Sequence, residues 1–289
     1  MLKSLLQIFQ SIQHPTLHLG IQSSKEAPYI ETDFEVYYFD VGQADSVLIR
    51  QNEHTMLIDA GNNKDGSKIV KYLKNNLNIN SFEYVIGTHS DEDHIGGIDN
   101  IINNFSIDTF YMPYESQYKT KSIQDVKKAS ESHNLEVINP NIGTSFKLGD
   151  ATCEIVHVDN NSPEENNNSS IVLKITYKEQ TYLFPGDAEY DVESQLDIGK
   201  INVYMAGHHG SKSSSTADFI KRIDPDFAII SVGPNNDYNL PSSRVTNRLN
   251  EVCDRVYRTD VDGTIHLISD GKTNYFECLS DVCLDGNDR

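Results

Sequence analysis

Short apolar runs separated by polar turns organise the chain from Phe34 onward. Three strands are predicted first, joined by the tight connections VGQADS and QNEH as in an antiparallel meander: FEVYYFD, SVLIR and TMLIDAG. Residues 65–77 then carry apolar side chains at helical spacing, which predicts an amphipathic helix. From the next strand, FEYVIGTH, strands alternate with predicted helices such as 95–104, and this alternation favours an α/β sheet.

The second half of the chain repeats this order without repeating the sequence. Helices are predicted near 189–197, 215–222 and 242–250, between the strands TCEIVHV, SIVLKITY, TYLFPGD, INVYMAG, FAIISVG, RVYRT, TIHLIS and NYFECL. Two such halves predict two β-sheets packed face to face, with the helices outside. No linker divides them. We therefore predict one domain over residues 34–280, with an N-terminal extension of unknown role at 1–33 and a C-terminal tail at 281–289.

Composition narrows the class of protein. The 289 residues include 24 basic and 43 acidic side chains, a net charge of −19, which disfavours nonspecific duplex binding through Lys and Arg. Metal ions can supply local positive charge, so a polyanionic substrate is still compatible. The four cysteines form no CxxC pair, and no run of residues approaches the length of a membrane span. A reduced cytoplasmic protein without membrane insertion is the expectation.

Candidate metal ligands are concentrated in the segment THSDEDHIGG, directly after an apolar strand. His89, Asp91 and Asp93 are spaced at i, i+2 and i+4, so an extended loop can point all three the same way. His94 can reach a second centre nearby, and the two glycines that follow let the backbone turn closely into the next helix. This combination of imidazoles and carboxylates predicts a metal site.

Two more groups of polar residues follow apolar strands. Asp187 comes after the strand in YLFPGDAE and is suited to bridging two cations. His208 and His209 follow the strand in VYMAGHHGSKSSS, and Ser211 and Lys212 behind them could hold substrate oxygens. Ligand sites gather at the carboxyl ends of strands in α/β sheets, so three such strand ends together support one site. A simple turn at Asp187 and a helix N-cap in the serine run are the structural alternatives.

These segments resemble the metallo-β-lactamase-like superfamily, and within it the ComEC branch of DNA-uptake proteins and their stand-alone relatives. The matching motifs are DVGQADS, LIDAG, THSDEDHIGG, FPGDAE, GHHGSKSSS, ISVGPNNDY and YRTDVDG. The resemblance covers residues 36–270 and implies an αββα sandwich with two divalent metal ions between the sheets. The membrane channel of ComEC proteins has no counterpart here. The resemblance therefore implies hydrolytic chemistry and not transport.

The resemblance also implies roles for individual residues. His89 and Asp91 would hold one ion, Asp93 and His94 the other, and Asp187 would bridge them. The second ion would be completed by His208, which is preferred over His209. Asp59 resembles the family's acid that orients the metal loop, and Asn168 and Ser169 stand roughly where the superfamily often has another ligand histidine, with a weaker or water-mediated role.

Two departures from the superfamily pattern affect these expectations. Asp91 replaces a histidine, so the ligand set is rich in carboxylate and favours manganese or magnesium more than an all-histidine site would, with zinc still open. Residues 239–241 read Asn-Leu-Pro where many relatives have Gly-His-Pro, so a substrate-side histidine is missing. The substrate preference of those relatives therefore does not transfer directly.

The resulting hypothesis is metal-assisted hydrolysis of a phosphoester, by a phosphodiesterase or nuclease. Asp93 would orient the nucleophile, and His209 or Lys212 would assist the leaving group or hold the phosphate. Single-stranded DNA is the first choice of substrate because of the resemblance, whereas the charge of −19 favours a small phosphodiester or a phosphocholine-type ester. A β-lactam or thioester hydrolase fits the motifs less well. A noncatalytic binding scaffold is the alternative from another class.

Overall fold

The computed structural model describes residues 34–114, 120–160 and 167–286. The predicted N-terminal extension, 1–33, lies outside the described residues. The first sheet begins with the predicted antiparallel meander β1–β2–β3 and continues in parallel through β6. Its strands are β1 Phe34–Tyr38, β2 Val47–Gln51, β3 His54–Ile58, β4 Ser81–Ile86, β5 Ser106–Tyr111 and β6 Val137–Ile138.

The second sheet has the same construction, an antiparallel part followed by a parallel part. Strands β7 to β10 pair antiparallel, and β10 to β13 pair parallel. The sequence pattern did not predict β7. The strands are β7 Ser145–Leu148, β8 Ala151–His157, β9 Val172–Tyr177, β10 Gln180–Phe184, β11 Val203–Met205, β12 Phe227–Ile230 and β13 Arg255–Arg258.

The last two strands return to the first sheet. β14, Thr264–Ser269, pairs antiparallel with β1, and β15, Asn274–Leu279, extends the sheet beyond it. The sheets therefore run β15-β14-β1-β2-β3-β4-β5-β6 and β13-β12-β11-β10-β9-β8-β7. The chain crosses from one sheet to the other twice, which ties its beginning to its end.

Helices cover the outer faces of both sheets, as predicted. The predicted helix 95–104 is divided at Gly96 and Gly97 into two short helices, α2 and α3. The helix predicted near 189–197 is a single turn. The helices are α1 Gly66–Asn75, α2 Glu92–Ile95, α3 Ile98–Asn104, α4 Lys121–Ser132, α5 Tyr190–Glu193, α6 Ala217–Ile223, α7 Ser243–Val252 and α8 Thr259–Asp262. None of them, within the described residues, is long and apolar enough for a membrane crossing.

Three clusters of buried side chains match this arrangement of four layers. The central cluster lies between the sheets and includes Ile49 of the first sheet and Leu173 of the second. A second cluster joins the first sheet to α1, α3 and α4 and includes Ile69 and Ile101. A third packs the second sheet against α6 and α7. The predicted αββα sandwich is confirmed.

Residues beyond the predicted domain boundary at 280 contact the first sheet and α1. The backbone N–H of Leu284 donates to the carbonyl oxygen of Asp40 at 2.7 Å. Lys68 of α1 donates from Nζ to the carbonyl oxygen of Asp285 at 2.8 Å, and Lys64, just before α1, pairs with the Asp285 carboxylate at 2.7 Å. The predicted division at residue 280 stays a prediction.

Candidate metal centre

The three predicted segments meet at one edge of the sandwich, beyond the ends of β4, β10 and β11. His94 Nε2 lies 3.2 Å from Asp187 Oδ1, and His89 Nε2 lies 3.9 Å from Asp187 Oδ2. His209 Nε2 lies 3.2 Å from Asp93 Oδ2. Side chains separated by 93 to 116 positions in the sequence thus share one small volume between the two sheets.

Several polar atoms of this cluster are buried without a hydrogen bond. Among the described residues, His89 Nε2, His94 Nε2 and Asp187 Oδ1 have no hydrogen-bond partner. Unpaired buried imidazole and carboxylate atoms are costly, and a cation that they ligate would satisfy them. Ligand atoms within 4.8 Å of one another form three groups that could hold a metal: His89, His94 and Asp187; Asp93, His94 and His209; and, behind them, Asp45, Asp59 and His94. The residues present therefore fit a metal centre.

Asp59 lies behind the candidate metal loop and is hydrogen-bonded to it. Its Oδ1 accepts from the backbone N–H of Thr88 at 2.8 Å, and its Oδ2 accepts from the Thr88 hydroxyl at 2.7 Å. His94 Nδ1 lies 2.8 Å from the same Oδ2. An N–H bond from Nδ1 to a carboxylate fixes the tautomer in which Nε2 is free to ligate a metal. Asp59 directly follows β3, and its expected role in orienting the metal loop stays a prediction.

Asp45 is a second acid behind the site, and sequence reasoning assigned it no role. Its Oδ1 lies 3.2 Å from His209 Nδ1, which also lies 3.1 Å from the carbonyl oxygen of Ser231. The hydrogen bond of Nδ1 goes to the Ser231 carbonyl, so Asp45 approaches His209 as a nearby negative charge, whereas Asp59 is hydrogen-bonded to His94. The signal was present, since Asp45 lies in the motif DVGQADS, but nothing local connects that loop with a histidine 164 positions later.

The electrostatics of the cluster favour bound positive charge. Burial raises the pKa of Asp187, but the neighbouring His94 and His209 outweigh it and hold the pKa of that carboxyl well below its usual range. Burial lowers the pKa of His94, yet the carboxylates of Asp187 and Asp59 raise it well above its usual value. Carboxylates that retain a proton on a buried imidazole attract a metal cation in the same way.

Residues 39–233 match the family model of the metallo-β-lactamase superfamily. The chain belongs to this superfamily. Solved structures of the same fold include CmlA, a diiron β-hydroxylase from Streptomyces venezuelae (TM-score 0.53, 12% identity, 79% of this chain and 53% of that one). YhfI, a metallo-β-lactamase fold protein from Bacillus subtilis, superposes with a TM-score of 0.52 at 12% identity, over 78% of this chain and 95% of that one.

The curated relatives confirm the resemblance to ComEC-like competence proteins. ComE operon protein 3 of Bacillus subtilis is 28% identical over 260 residues, which are 82% of this chain and 33% of that protein. Recombination protein 2 of Haemophilus influenzae is 27% identical over 273 residues, 91% of this chain and 31% of that protein. Competence protein ComA of Neisseria gonorrhoeae is 26% identical over 255 residues, which are 85% of this chain and 34% of that protein. The chain spans about a third of the length of these relatives.

Within this superfamily fold, the contacts distinguish the two adjacent histidines. His209 is buried and lies beside Asp93, the place that the sequence expectation gave to His208. His208 is a quarter exposed, and its Nε2 lies 3.7 Å from Asp187 Oδ2 while its Nδ1 lies 3.2 Å from Glu189 Oε1. Both residues have left-handed backbone angles, with φ of 51° and 52°, so the backbone turns sharply at these two positions. The contacts favour His209 as the partner of Asp93 and His94.

The remaining expected residues lie around this centre at different distances. Asp91 is half-exposed, and its Oδ2 lies 3.5 Å from His89 Nε2. Ser211 shares a hydrogen bond with Ser213 across 3.0 Å, while Lys212 is exposed and has no ion pair with any described residue. Asn168 Oδ1 accepts from the backbone N–H of Glu189 at 2.9 Å, so that oxygen is already engaged, and Ser169 beside it is buried.

Proposed function

We propose that this chain is a metal-dependent hydrolase of phosphodiesters that works with two divalent ions, zinc or manganese. The observation that supports it is the set of buried, unpaired Nε2 and Oδ1 atoms of His89, His94 and Asp187 at the meeting point of three strand ends. The superfamily is generally hydrolytic, which agrees with this chemistry.

The contacts suggest how the ligands divide between the ions. His89 and Asp91 belong to one ion, Asp93, His94 and His209 to the other, and Asp187 faces both groups. His208 is then available to the first ion, because its Nε2 approaches the same Asp187 oxygen as His89 does. This division moves His209 from the catalytic role expected from the sequence to a metal ligand.

Bound ions would lower the pKa of a water to near neutrality and neutralise charge on the phosphoryl oxygens. The protein supplies the orientation. Asp59 holds the ring tautomer of His94, the Ser231 carbonyl does so for His209, and Asp93 would orient the attacking water. Ser211 and the exposed Lys212 are proposed contacts to the phosphate oxygens.

The proposed substrate is nucleic acid, with single-stranded DNA first. Two of the relatives are named as a competence protein and a recombination protein, which supports a DNA-related role. The net charge of −19 favours a second candidate, a small phosphodiester such as a phosphocholine-type ester, which needs no basic groove. Retention of ligands at all three strand ends argues against a noncatalytic scaffold. A cytoplasmic location stays a prediction.

The test is hydrolysis by protein that has been stripped with a chelator and reloaded with Mn²⁺ or Zn²⁺. Labelled single-stranded DNA, duplex DNA, RNA and methyl p-nitrophenyl phosphate are offered in parallel. We expect Asp187→Asn to lower the rate by at least about 100-fold, because losing even an outer partner of a metal ligand costs about 10–100-fold. Asp226→Asn is the matched control, since the Asp226 carboxylate pairs with Lys200 and Asn202, before the start of β11 and not at its carboxyl end. Absence of turnover on every phosphoester with two ions bound would contradict the proposal.

A further inference from the structure

We propose that a cavity beside the metal centre binds the nucleoside that is attached to the scissile phosphate, with its base stacked on the ring of Tyr238. The cavity measures about 400 Å³, within the range of small-molecule sites, and Asp93 of the candidate centre lies in its wall. A group bound there would lie next to the metal ligands. This inference names the substrate of the proposed phosphodiesterase and rests on that function.

Tyr238 is the most exposed large hydrophobic side chain of the described residues, at 72%. It stands on the cavity-lining segment 233–238, which Asn236 fastens from within. The Asn236 side chain donates to the carbonyl oxygens of Gly233 and Leu240, and it accepts from the backbone N–H of Tyr238. The ring is therefore presented by an ordered loop, so that stacking on it costs little further ordering. A base stacked on an aromatic ring gains about 1–3 kcal/mol.

The cavity lining also offers hydrogen-bonding groups for the edge of a base. Gln43 uses its Oε1 to accept from the backbone N–H of Gly233 at 3.2 Å, whereas its Nε2 has no partner among the described residues. Asn62 donates from Nδ2 to the Gln43 carbonyl and to Asp65, and no described group donates to its Oδ1. One amide donor and one amide acceptor thus remain, the two kinds of group that a base edge pairs with.

The charge of the cavity selects a neutral occupant over further phosphates. Four carboxylates line it, while its one lysine, Lys64, is paired with Asp285 across 2.7 Å. The carboxylates are those of Glu92, Asp93, Asp237 and Asp285. Additional phosphates of a strand would be repelled here, whereas a nucleoside carries no charge. A quaternary ammonium group is the competing occupant, but such groups favour cages of several aromatic rings, and Tyr238 is the one aromatic residue of the described lining.

The chain contains no tryptophan, so Tyr238→Trp creates a single fluorescent reporter at the cavity. The Tyr238→Trp protein is stripped of metal with a chelator and titrated with deoxyadenosine, thymidine and choline while tryptophan fluorescence is recorded. This measures binding independently of hydrolysis. We expect saturable quenching by the nucleosides and none by choline. Tyr114→Trp is the control, because Tyr114 is 51% exposed and does not line this cavity. There we expect only linear, collisional quenching.

Kinetics supply the second measurement. With metal present, Tyr238→Ala should raise KM for thymidine 5′-p-nitrophenyl phosphate about 10-fold, the lower part of the range for lost base stacking, and raise KM for methyl p-nitrophenyl phosphate much less. Tyr238→Phe keeps the ring and should retain the parent KM for both esters.

The outcomes separate the two proposals. Quenching that is linear for nucleosides, saturable quenching by choline instead, or equal KM changes for both esters would overturn the nucleoside site, even if phosphodiesters are hydrolysed. Saturable nucleoside quenching in a protein that hydrolyses no phosphoester would overturn the proposed function and leave the site standing.

Discussion

Glu35 shows how single residues carry charge in the interior of this protein. It lies buried on β1, where its carboxylate pairs with Arg50 at 2.6 Å and with His266 Nε2 at 2.8 Å, while the Tyr37 hydroxyl donates to it. Burial raises the pKa of Glu35, but the hydrogen bonds from His266 and Arg50 outweigh burial and bring the pKa to about 2. The charged form is therefore the one that the fold stabilises.

Glu35→Gln is expected to change how stability depends on pH. A carboxyl whose pKa is lower in the folded than in the unfolded chain stabilises the fold above the unfolded value and loses this effect as the pH falls through the folded one. The difference in unfolding free energy between parent and Glu35→Gln should be a few kcal/mol above pH 5 and shrink between about pH 4.5 and pH 2. This difference is measured by urea unfolding at several pH values, with metal removed by a chelator. A difference that is constant over this window would contradict the assignment.

At the scale of elements, the junction of α2 and α3 depends on a close approach of two backbones. A Cβ on Gly97 would lie 2.2 Å from the carbonyl oxygen of Ala60, in the loop after β3. The same loop is bonded to the metal segment, since the N–H of Ala60 donates to the carbonyl of His94 at 2.8 Å and that of Gly97 donates to the carbonyl of Gly61 at 3.1 Å. The glycine thus positions the metal segment.

Gly97→Ala is expected to destabilise the protein by about 3 kcal/mol, because the added methyl group meets backbone that cannot move independently. Metal affinity should fall with it, since His94 lies on the displaced segment. Gly143→Ala is the control, because nothing lies within 4 Å of its added Cβ and only its positive φ is strained, at about 1 kcal/mol. Urea unfolding measures the stability of both variants, and metal titration measures their metal affinity. Equal losses of stability would show that the close approach has no special effect.

For the whole molecule, the candidate metal centre joins the two sheets. The segment after β4 belongs to the first sheet, while Asp187 and His209 follow strands of the second. A bound ion would hold the two sheets together, and the fold without metal must keep like-charged carboxylates close. Metal binding and the stability of the sandwich are therefore expected to be coupled.

Addition of Mn²⁺ at 100 times its dissociation constant should raise the unfolding free energy by about 2.7 kcal/mol per site. Asp187→Asn should lose most of this increase, since it removes the carboxylate that faces both groups of ligands. Asp226→Asn should keep it. Urea unfolding with Mn²⁺ and with chelator measures the increase, and an increase that is the same in Asp187→Asn and the parent would refute the coupling.

Much of the fold and the positions of the candidate ligands followed from local patterns. Alternating strands and helices predicted the sandwich, because one-sided apolar faces must be buried against another layer. His89, Asp91, Asp93 and His94 occur within six residues, so their shared location needed no knowledge of the fold. Asp187 and the His208–His209 pair were found because each follows an apolar strand.

Other features were decided by the tertiary structure. Strand β14 pairs with β1 across more than 200 residues, and that pairing alone brings His266 to Glu35. The contacts of His208 and His209 depend on two left-handed backbone positions that their residue types do not predict. Asp45 and Tyr238 likewise reach the centre and its cavity through folding. Sequence spacing reports which side chains are near along the chain, whereas long-range pairing and backbone angles set where those side chains point.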